Sequence, residues 1–508
     1  MPSLDTLAAT WGIDLDATER EQYRQIVDSM REALDALATA AEPRFESLHG
    51  SPDRHDDRAD VWTPDADADP HTAWLHRGGV AGDPDGPLAD LTLGVKDNIA
   101  VGGLPCTAGS EALASFVPEI DATVVARLLD AGVTLLGKQN MDAFAMGDAG
   151  ELQDFGPTWN PHDETRLAGG SSSGSAAAVA AGDCDVALGT DQAGSVRTPA
   201  AWCGVVGCKP TYGLVPYTGV FGMDFGFDHV GVISRTVEDN ARVLAAIAGE
   251  DRQDGCRLDP RQPRGNPSGS VVDASTAAAD DLTIGVLDEG FGWPTAESGV
   301  EATVSDAIDA LGDAGVTVES VSAPTHELGP AIVGVAAALG SASTYRQGGV
   351  GTTTPGWHWT AGRRAFTDAL ADHTDALSPA VVGSLLFAEA CRASGETHEY
   401  AHAKNVALSL GREYDRCLEA CDVLAMPTVP RVAIEYEDDA DRTERVARLA
   451  TLPVNTCGVN QTGHPALSVP CGTVDGLPVG LQLVAGRFEE ATLYRVGELV
   501  EETVGAAV

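Results

Sequence analysis

Apolar positions along the chain follow two periods, and the switches between them outline the elements. EREQYRQIVDSMREALDALATAAEPRF (19–45) has apolar residues at helical spacing and stops at a proline, which predicts a helical arm over 1–48. Residues 49–88 are rich in Asp, Pro, Gly and His and read as a loop or linker. PLADLTLGVKDNIAV (87–101) then alternates as a strand. ATVVARLLDAG (122–132) reads as a helix and VTLLGK (133–138) as the next strand. That strand–helix–strand rhythm predicts an α/β architecture.

The rhythm continues. SAAAVAAG (175–182) predicts a buried helix, DVALGTD (185–191) a short apolar strand, and TVEDNARVLAAIAG (236–249) a helix opened by a Thr cap. Residues 250–280 are charged and Gly/Pro/Ser-rich without periodicity, which suggests a surface insertion. DLTIGVLDEG resumes a strand and VEATVSDAIDALGDAG a helix. Residues 330–410 read as mostly helical. CDVLAMPTVP and HPALSVPCG read as strands, and EEATLYRVGELVEETV as a closing helix. The expected layout is an N-terminal arm and linker (1–88) followed by one large α/β domain (89–508).

The chain has 508 residues and a net charge of −44, with the acid spread throughout. That pattern points to a halophile's cytoplasmic protein, whose surface repulsion salt screens. The absence of a basic run argues against nucleic-acid or anionic-membrane binding. No run of 18 apolar residues suggests a membrane span, and the acidic N-terminus lacks the apolar core of a secretion signal. Ten cysteines show no CxxC spacing and no nearby His cluster. They read as small buried hydrophobes, and no metal or cofactor is expected. Lysine is scarce: Lys96, Lys138, Lys209 and Lys404 stand against 28 arginines. Each surviving lysine is a candidate for a specific task.

LAGGSSSGSAAAVAAG (167–182) is the most unusual stretch. Helix capping explains one serine but not three between glycines. GSSSG matches G-x-S-x-G around Ser172, but WNPHDETRLAG before it is polar and turn-like rather than a buried strand. A phosphate loop would need a lysine here.

The flanking segments resolve the question. LGVKDNIAVGGLPCTAGS lies upstream, and GTDQAGSVRTPAAWCGVVGCKPTYGLVPYTGV lies downstream. With GKQNMDAFAMG, GPTWNP and TGHPALSVPCG…GLPVGLQLV, these resemble the amidase signature family in its own order, over roughly residues 90–500. The resemblance implies a central twisted mixed β-sheet with helices on both faces and a Ser–Ser–Lys triad. The nucleophile aligns with Ser195, the bridging serine, on a cis peptide bond in the family, with Ser171, and the base with Lys96.

The chemistry suits these residue types. A serine hydroxyl needs a base to attack an amide. A buried lysine can be neutral and act as one, and a hydroxyl can relay a proton because it both donates and accepts. The resemblance assigns the oxyanion donors to backbone N–H groups of Gln192, Ala193, Gly194 and Ser195. Gly170, Ser172, Asp191 and Arg197 are read as supporting, the last two as an ion pair around the nucleophile turn. Lys138 and Lys209 are read as structural. The family usually has Gly-Gly where this chain has Ala193-Gly194, so a Cβ at 193 could disturb a positive-φ turn. Met146, Phe144, Phe225, Phe227, Trp202 and Asn455 are candidates for the acyl pocket, with Gln192 also placed to bind the amide.

Two substrate classes follow. The arm and the DQAGSVRTPAAWCG…GLVPYTG segments resemble amidases associated with nitrile hydratases. That reading expects hydrolysis of small carboxylic amides to acid and ammonia, by a homodimer. The alternative is the amide-hydrolysing component of a glutamyl-tRNA amidotransferase, which hydrolyses glutamine and passes ammonia to a partner. Such components carry an arginine for the glutamine carboxylate where this chain has Ala407, with Arg412 five residues on. On that ground free glutamine is expected to bind poorly. A binding protein without turnover is disfavoured because all three triad positions are intact.

Overall fold

The computed structural model describes residues 3–9, 12–38, 60–251, 279–349 and 357–505. The chain divides into two compact units, Met1–Pro52 and Asp53–Val508. The first contains helices Leu4–Ala9 and Ala17–Ala38. The longer one carries Tyr23, Ile26, Met30, Leu34 and Leu37 at spacings of three and four, one stripe of a helical surface.

The second unit is built on an eleven-stranded mixed sheet flanked by helices. Its strands are β1 (Trp74–Val80), β2 (Thr92–Lys96), β3 (Thr134–Gln139), β6 (Val186–Asp191), β7 (Val206–Lys209), β8 (His229–Ser234), β9 (Thr283–Leu287), β10 (Thr317–Val321), β11 (Val423–Pro427), β12 (Ala466–Val474) and β13 (Leu477–Ala485). β4 (Trp159–Asn160) and β5 (Asp163–Leu167) form a separate pair. The sheet order is β1-β3-β2-β6-β8-β7-β12-β13-β11-β9-β10. β3, β2 and β6 run parallel, as do β11, β9 and β10. The middle strands, from β6 across to β11, pair antiparallel.

Part of the expected linker is sheet. WLHRGGV (74–80) pairs antiparallel with β3. Its polar and glycine residues break the alternation that marks a strand, so only the pairing reveals it. Residues 252–278, most of the expected insertion, lie outside the described residues.

Small residues let the helix Ser173–Ala180 lie against the sheet. Its Ala176, Ala177, Ala178 and Val179 share a core with Ala187, Val196, Ala200 and Ile233. Gly174 is obligatory for that approach, since a Cβ there would press into the backbone of Ala73 and Asn140. The close docking puts residues 171–173 beside the ends of β2 and β6.

The segment Pro324–Arg346 is long and apolar enough by composition to cross a membrane. Here it is a core element: Ile332 and Ala336 pack with Phe227, Ala403 and Ala407.

Candidate active site

Three neighbouring elements bring the predicted triad residues together. Lys96 ends β2, Ser171 precedes the Ser173–Ala180 helix, and Ser195 lies in the turn between β6 and the helix Arg197–Cys203. Lys96 and Ser171 are fully buried, and Ser195 is 2% exposed. Lys96 Nζ donates to Ser171 Oγ at 2.9 Å and to the Thr190 carbonyl at 3.2 Å. The Gly170–Ser171 peptide is cis. The Ser172 N–H donates to the Ser195 carbonyl at 3.1 Å, which ties the two serine segments together.

Each hydroxyl in the serine run has its own partner. Ser172 Oγ donates to the Thr190 carbonyl at 3.1 Å and Ser175 Oγ to the Leu188 carbonyl at 3.3 Å. The Ser173 and Thr158 hydroxyls lie 3.0 Å apart. None caps the helix through Ser172. The run fastens a helix start to the sheet and leaves Ser171 for Lys96.

Burial pushes the Lys96 ammonium down to about 7, against the opposing charges of Asp142, Asp191, Asp148 and Asp228. A substantial share of Lys96 is therefore the free amine near neutrality. Burial also brings Lys209 to about 7. Lys209, however, donates to the Pro210 and His464 carbonyls at 2.9 and 2.6 Å and reaches no triad hydroxyl. Lys138 is paired with Asp97 at 2.9 Å. Lys404 donates to Gln461 Oε1 at 2.8 Å.

The turn that carries Ser195 is wrapped around one buried ion pair. Arg197 Nη2 and Nε meet the two Asp191 oxygens at 3.0 and 3.1 Å. Arg197 also donates to the Thr456 carbonyl, Gln482 Oε1 and Asn460 Oδ1. Asp191 in turn accepts from the N–H groups of Gly194 (2.8 Å) and Val196 (3.1 Å). Burial alone would raise the Asp191 carboxyl, but Arg197 and Asn460 hold it well below the usual range.

This arrangement separates the expected oxyanion donors. The Gly194 N–H belongs to Asp191, whereas those of Gln192, Ala193 and Ser195 donate to no protein group among the described residues. Ala193 has a negative φ, and the positive one (+140°) falls on Gly194. The Cβ at 193 therefore costs the turn nothing. Thr456 Oγ1 donates to the Ala193 carbonyl at 2.6 Å and fills the space beside Gly194.

The pocket candidates fare differently. Asn455 is fully buried, and every polar atom of its side chain is engaged. Its Oδ1 accepts from Trp293 Nε1 at 2.8 Å and faces His326 Nε2 at 3.0 Å; its Nδ2 donates to the Gly290 and Pro427 carbonyls. It has no capacity left for a substrate. Phe227 is core, 0% exposed among Ile332, Ala336, Ala403 and Ala407. Trp202 is also core, its Nε1 donating to the Arg431 carbonyl. Phe144 packs on Tyr345 and Phe366. Met146 is buried, with its sulfur 3.5 Å from Ser384 Oγ. Phe225 borders a cleft of about 630 Å³ with Asp224, Arg346 and Tyr400. Gln192 Nε2 donates to Tyr217 Oη at 3.2 Å, while its buried Oε1 has no partner.

Sequence reasoning missed Asn460, Gln482 and Thr456, which brace the turn, although NQTGHP and GLQLV lie in or beside the motifs that carry the family resemblance. It also missed Asp142, in NMDAFAMG. Asp142 accepts from the N–H groups of Gly150, Glu151 and Leu152. Burial nevertheless lifts its carboxyl to about 6.

A comparison with known proteins gives this geometry its context. The Amidase family matches residues 63–494. The chain belongs to the Amidase family. Its fold and its C–N bond hydrolase class follow from that membership. The glutamyl-tRNA(Gln) amidotransferase A component of Natronomonas pharaonis is 41% identical over 437 residues, 84% of this chain and 99% of that protein. The protein of the same name from Halobacterium salinarum is 40% identical, covering 83% and 97%. In three dimensions, the Thermotoga maritima counterpart aligns with a TM-score of 0.71 at 29% identity, covering 86% of this chain and 90% of that one.

These relatives overturn the expectation of a stand-alone homodimer acting on small carboxylic amides. That expectation leaned on the helical arm over 1–48, which lies before the Amidase match at residue 63. It leaned also on Ala407, which is buried in the apolar cluster around Phe227; Arg412 is exposed.

Proposed function

We propose that this chain is the amide-hydrolysing component of a glutamyl-tRNA(Gln) amidotransferase. It would take ammonia from glutamine and deliver it to partner subunits holding the glutamyl-tRNA(Gln). The observation that carries the reading is the 41% identity across 99% of the Natronomonas pharaonis protein, joined to a buried Lys96–Ser171 link beside Ser195.

The buried Lys96–Ser171 link and the free N–H groups around Ser195 support the following roles. Neutral Lys96 accepts the Ser171 proton as Ser171 accepts that of Ser195. The Ser195 oxygen attacks the glutamine carboxamide carbon. The developing oxyanion is met by the free N–H groups of Gln192, Ala193 and Ser195, with such a donor typically worth about 3–4 kcal/mol. The proton returns along the same path to the leaving nitrogen, and ammonia departs. Water then hydrolyses the γ-glutamyl ester by the reverse relay, giving glutamate and free Ser195. Asp191 and Arg197 hold the turn and do not touch the substrate. The acidic composition supports a cytoplasmic setting at high salt.

The test is ammonia release from glutamine, benzamide and propionamide in concentrated KCl, with and without partner subunits and glutamyl-tRNA(Gln). The reading expects glutamine to be the substrate and the complex to release ammonia faster than the chain alone. Rapid release from the two simple amides, with glutamine inert in every mixture, contradicts it.

A further inference from the structure

Two acceptors at this site have nothing to accept from. One is Gln192 Oε1, on a residue 2% exposed, three positions before Ser195. The other is the carboxyl group of Asp148. Its residue is 5% exposed, yet among the described residues the side chain has no hydrogen bond and no ion pair. Its oxygens are not fully enclosed.

The backbone places Asp148 beside the bridging serine. Its carbonyl accepts from the Gly170 N–H at 2.9 Å, and the neighbouring Ala149 carbonyl accepts from Gly169 at 3.1 Å. Segment 148–149 therefore runs against segment 169–170, directly before Ser171. The other acids of the site are satisfied: Asp191 by Arg197 and Asn460, and Asp142 by three backbone N–H groups. Burial raises the Asp148 carboxyl well above its ordinary range, helped by the charges of Asp142 and Asp191 and opposed by that of Lys96. A buried carboxyl left without a partner is costly, and the cost is removed by a ligand that supplies a charged donor.

The site's needs are thus complementary to one kind of substrate. Free N–H groups at Gln192, Ala193 and Ser195 take a carbonyl oxygen. The Asp148 carboxyl feels the charge of Lys96 but has no ion pair or hydrogen bond among the described residues. We propose that Asp148 is a specificity residue that pairs with an ammonium group on the substrate, so that the site selects amides carrying a free amino group over otherwise identical amides without one. This rests on the glutamine reading above, in which that group is the α-ammonium. Asp148 performs no bond-making step; it anchors one end of the substrate while Ser195 acts on the other.

The experiment compares glutamine with glutaramate, which keeps the carboxamide and the carboxylate but lacks the α-amino group. Both are assayed in the same complex, with wild-type protein, Asp148→Asn and Asp148→Ser. Wild type is expected to favour glutamine in kcat/KM by about 10- to 100-fold, the range of a charge-assisted hydrogen bond. Both variants should reduce that ratio to near one, through KM for glutamine, with glutaramate hydrolysis retained. The ratio is internal to each protein, so a loss of folded material does not mimic the effect. A wild-type ratio near one, or a ratio unchanged in an active variant, overturns the role of Asp148 while leaving glutamine hydrolysis standing. No release from glutamine by wild type in any mixture overturns both.

Discussion

Lys96 Nζ lies 2.9 Å from Ser171 Oγ, in a place where neither group meets water. A protonated lysine cannot accept from that hydroxyl, so the proposed relay requires the free amine. Burial lowers the Lys96 value, so the active form accumulates as pH rises through it. The kcat/KM profile is therefore expected to climb with an apparent pKa of about 7. Lys96→Arg stays charged at every pH and should lose nearly all activity. A profile flat from pH 6 to 9, or an active arginine variant, removes Lys96 from the role of base.

The turn that carries Ser195 depends on Asp191 and Gly194. Asp191→Ala strands a buried guanidinium and two backbone N–H groups. It should cost about 3–5 kcal/mol, measured by denaturant unfolding. Gly194→Ala adds a Cβ at φ +140°, against Thr456 Oγ1. It should abolish turnover even if some folding survives. Ala193→Gly, in contrast, should retain wild-type activity, because φ at 193 is negative. Kinetics of the two substitutions side by side decide whether the turn is built as described.

Asn455 offers a test of structure against substrate contact. Its side chain bridges Trp293, His326, Gly290 and Pro427. Asn455→Ala leaves buried groups unpaired, each worth about 1–3 kcal/mol. The expected result is a lower melting temperature with KM for glutamine nearly unchanged in the folded fraction. A raised KM with unaltered stability would place Asn455 in the substrate pocket after all.

The net charge of −44 predicts a salt requirement. Lowering KCl from molar to millimolar levels lengthens the Debye distance from about 3 Å to beyond 10 Å and restores repulsion among surface carboxylates. The melting temperature should fall steadily along that series. An unchanged value contradicts a surface adapted to high salt.

Much of this architecture was legible in the sequence because local signals agreed. TLGVK, VALGTD and VLAMP are apolar runs of strand length, and β2, β6 and β11 occupy them. Thr236 caps the helix Val237–Ile247, accepting from the Asp239 N–H at 3.1 Å. β1 was hidden because His76, Arg77 and two glycines erase its alternation, and pairing with β3 supplies what propensity does not. The triad positions were legible through the resemblance to the amidase signature family; the scarcity of lysine and the serine–glycine run only drew attention to them. The roles of Asn455, Phe227 and Trp202 were not legible, since an aromatic or amide in a motif looks the same whether it lines a pocket or joins two loops. Asp148 was invisible for a related reason: one more aspartate among 76 acidic residues becomes notable only when its neighbours fail to pair with it.

The central claim is that Ser195 attacks the glutamine carboxamide. Mixing the complex with glutamine, quenching in acid within the first turnover and mapping peptides by mass tests it most directly. The account predicts a γ-glutamyl group on the peptide containing Ser195, and its absence in Ser195→Ala together with loss of ammonia release. A γ-glutamyl group on another residue, or sustained ammonia release by Ser195→Ala, would contradict it.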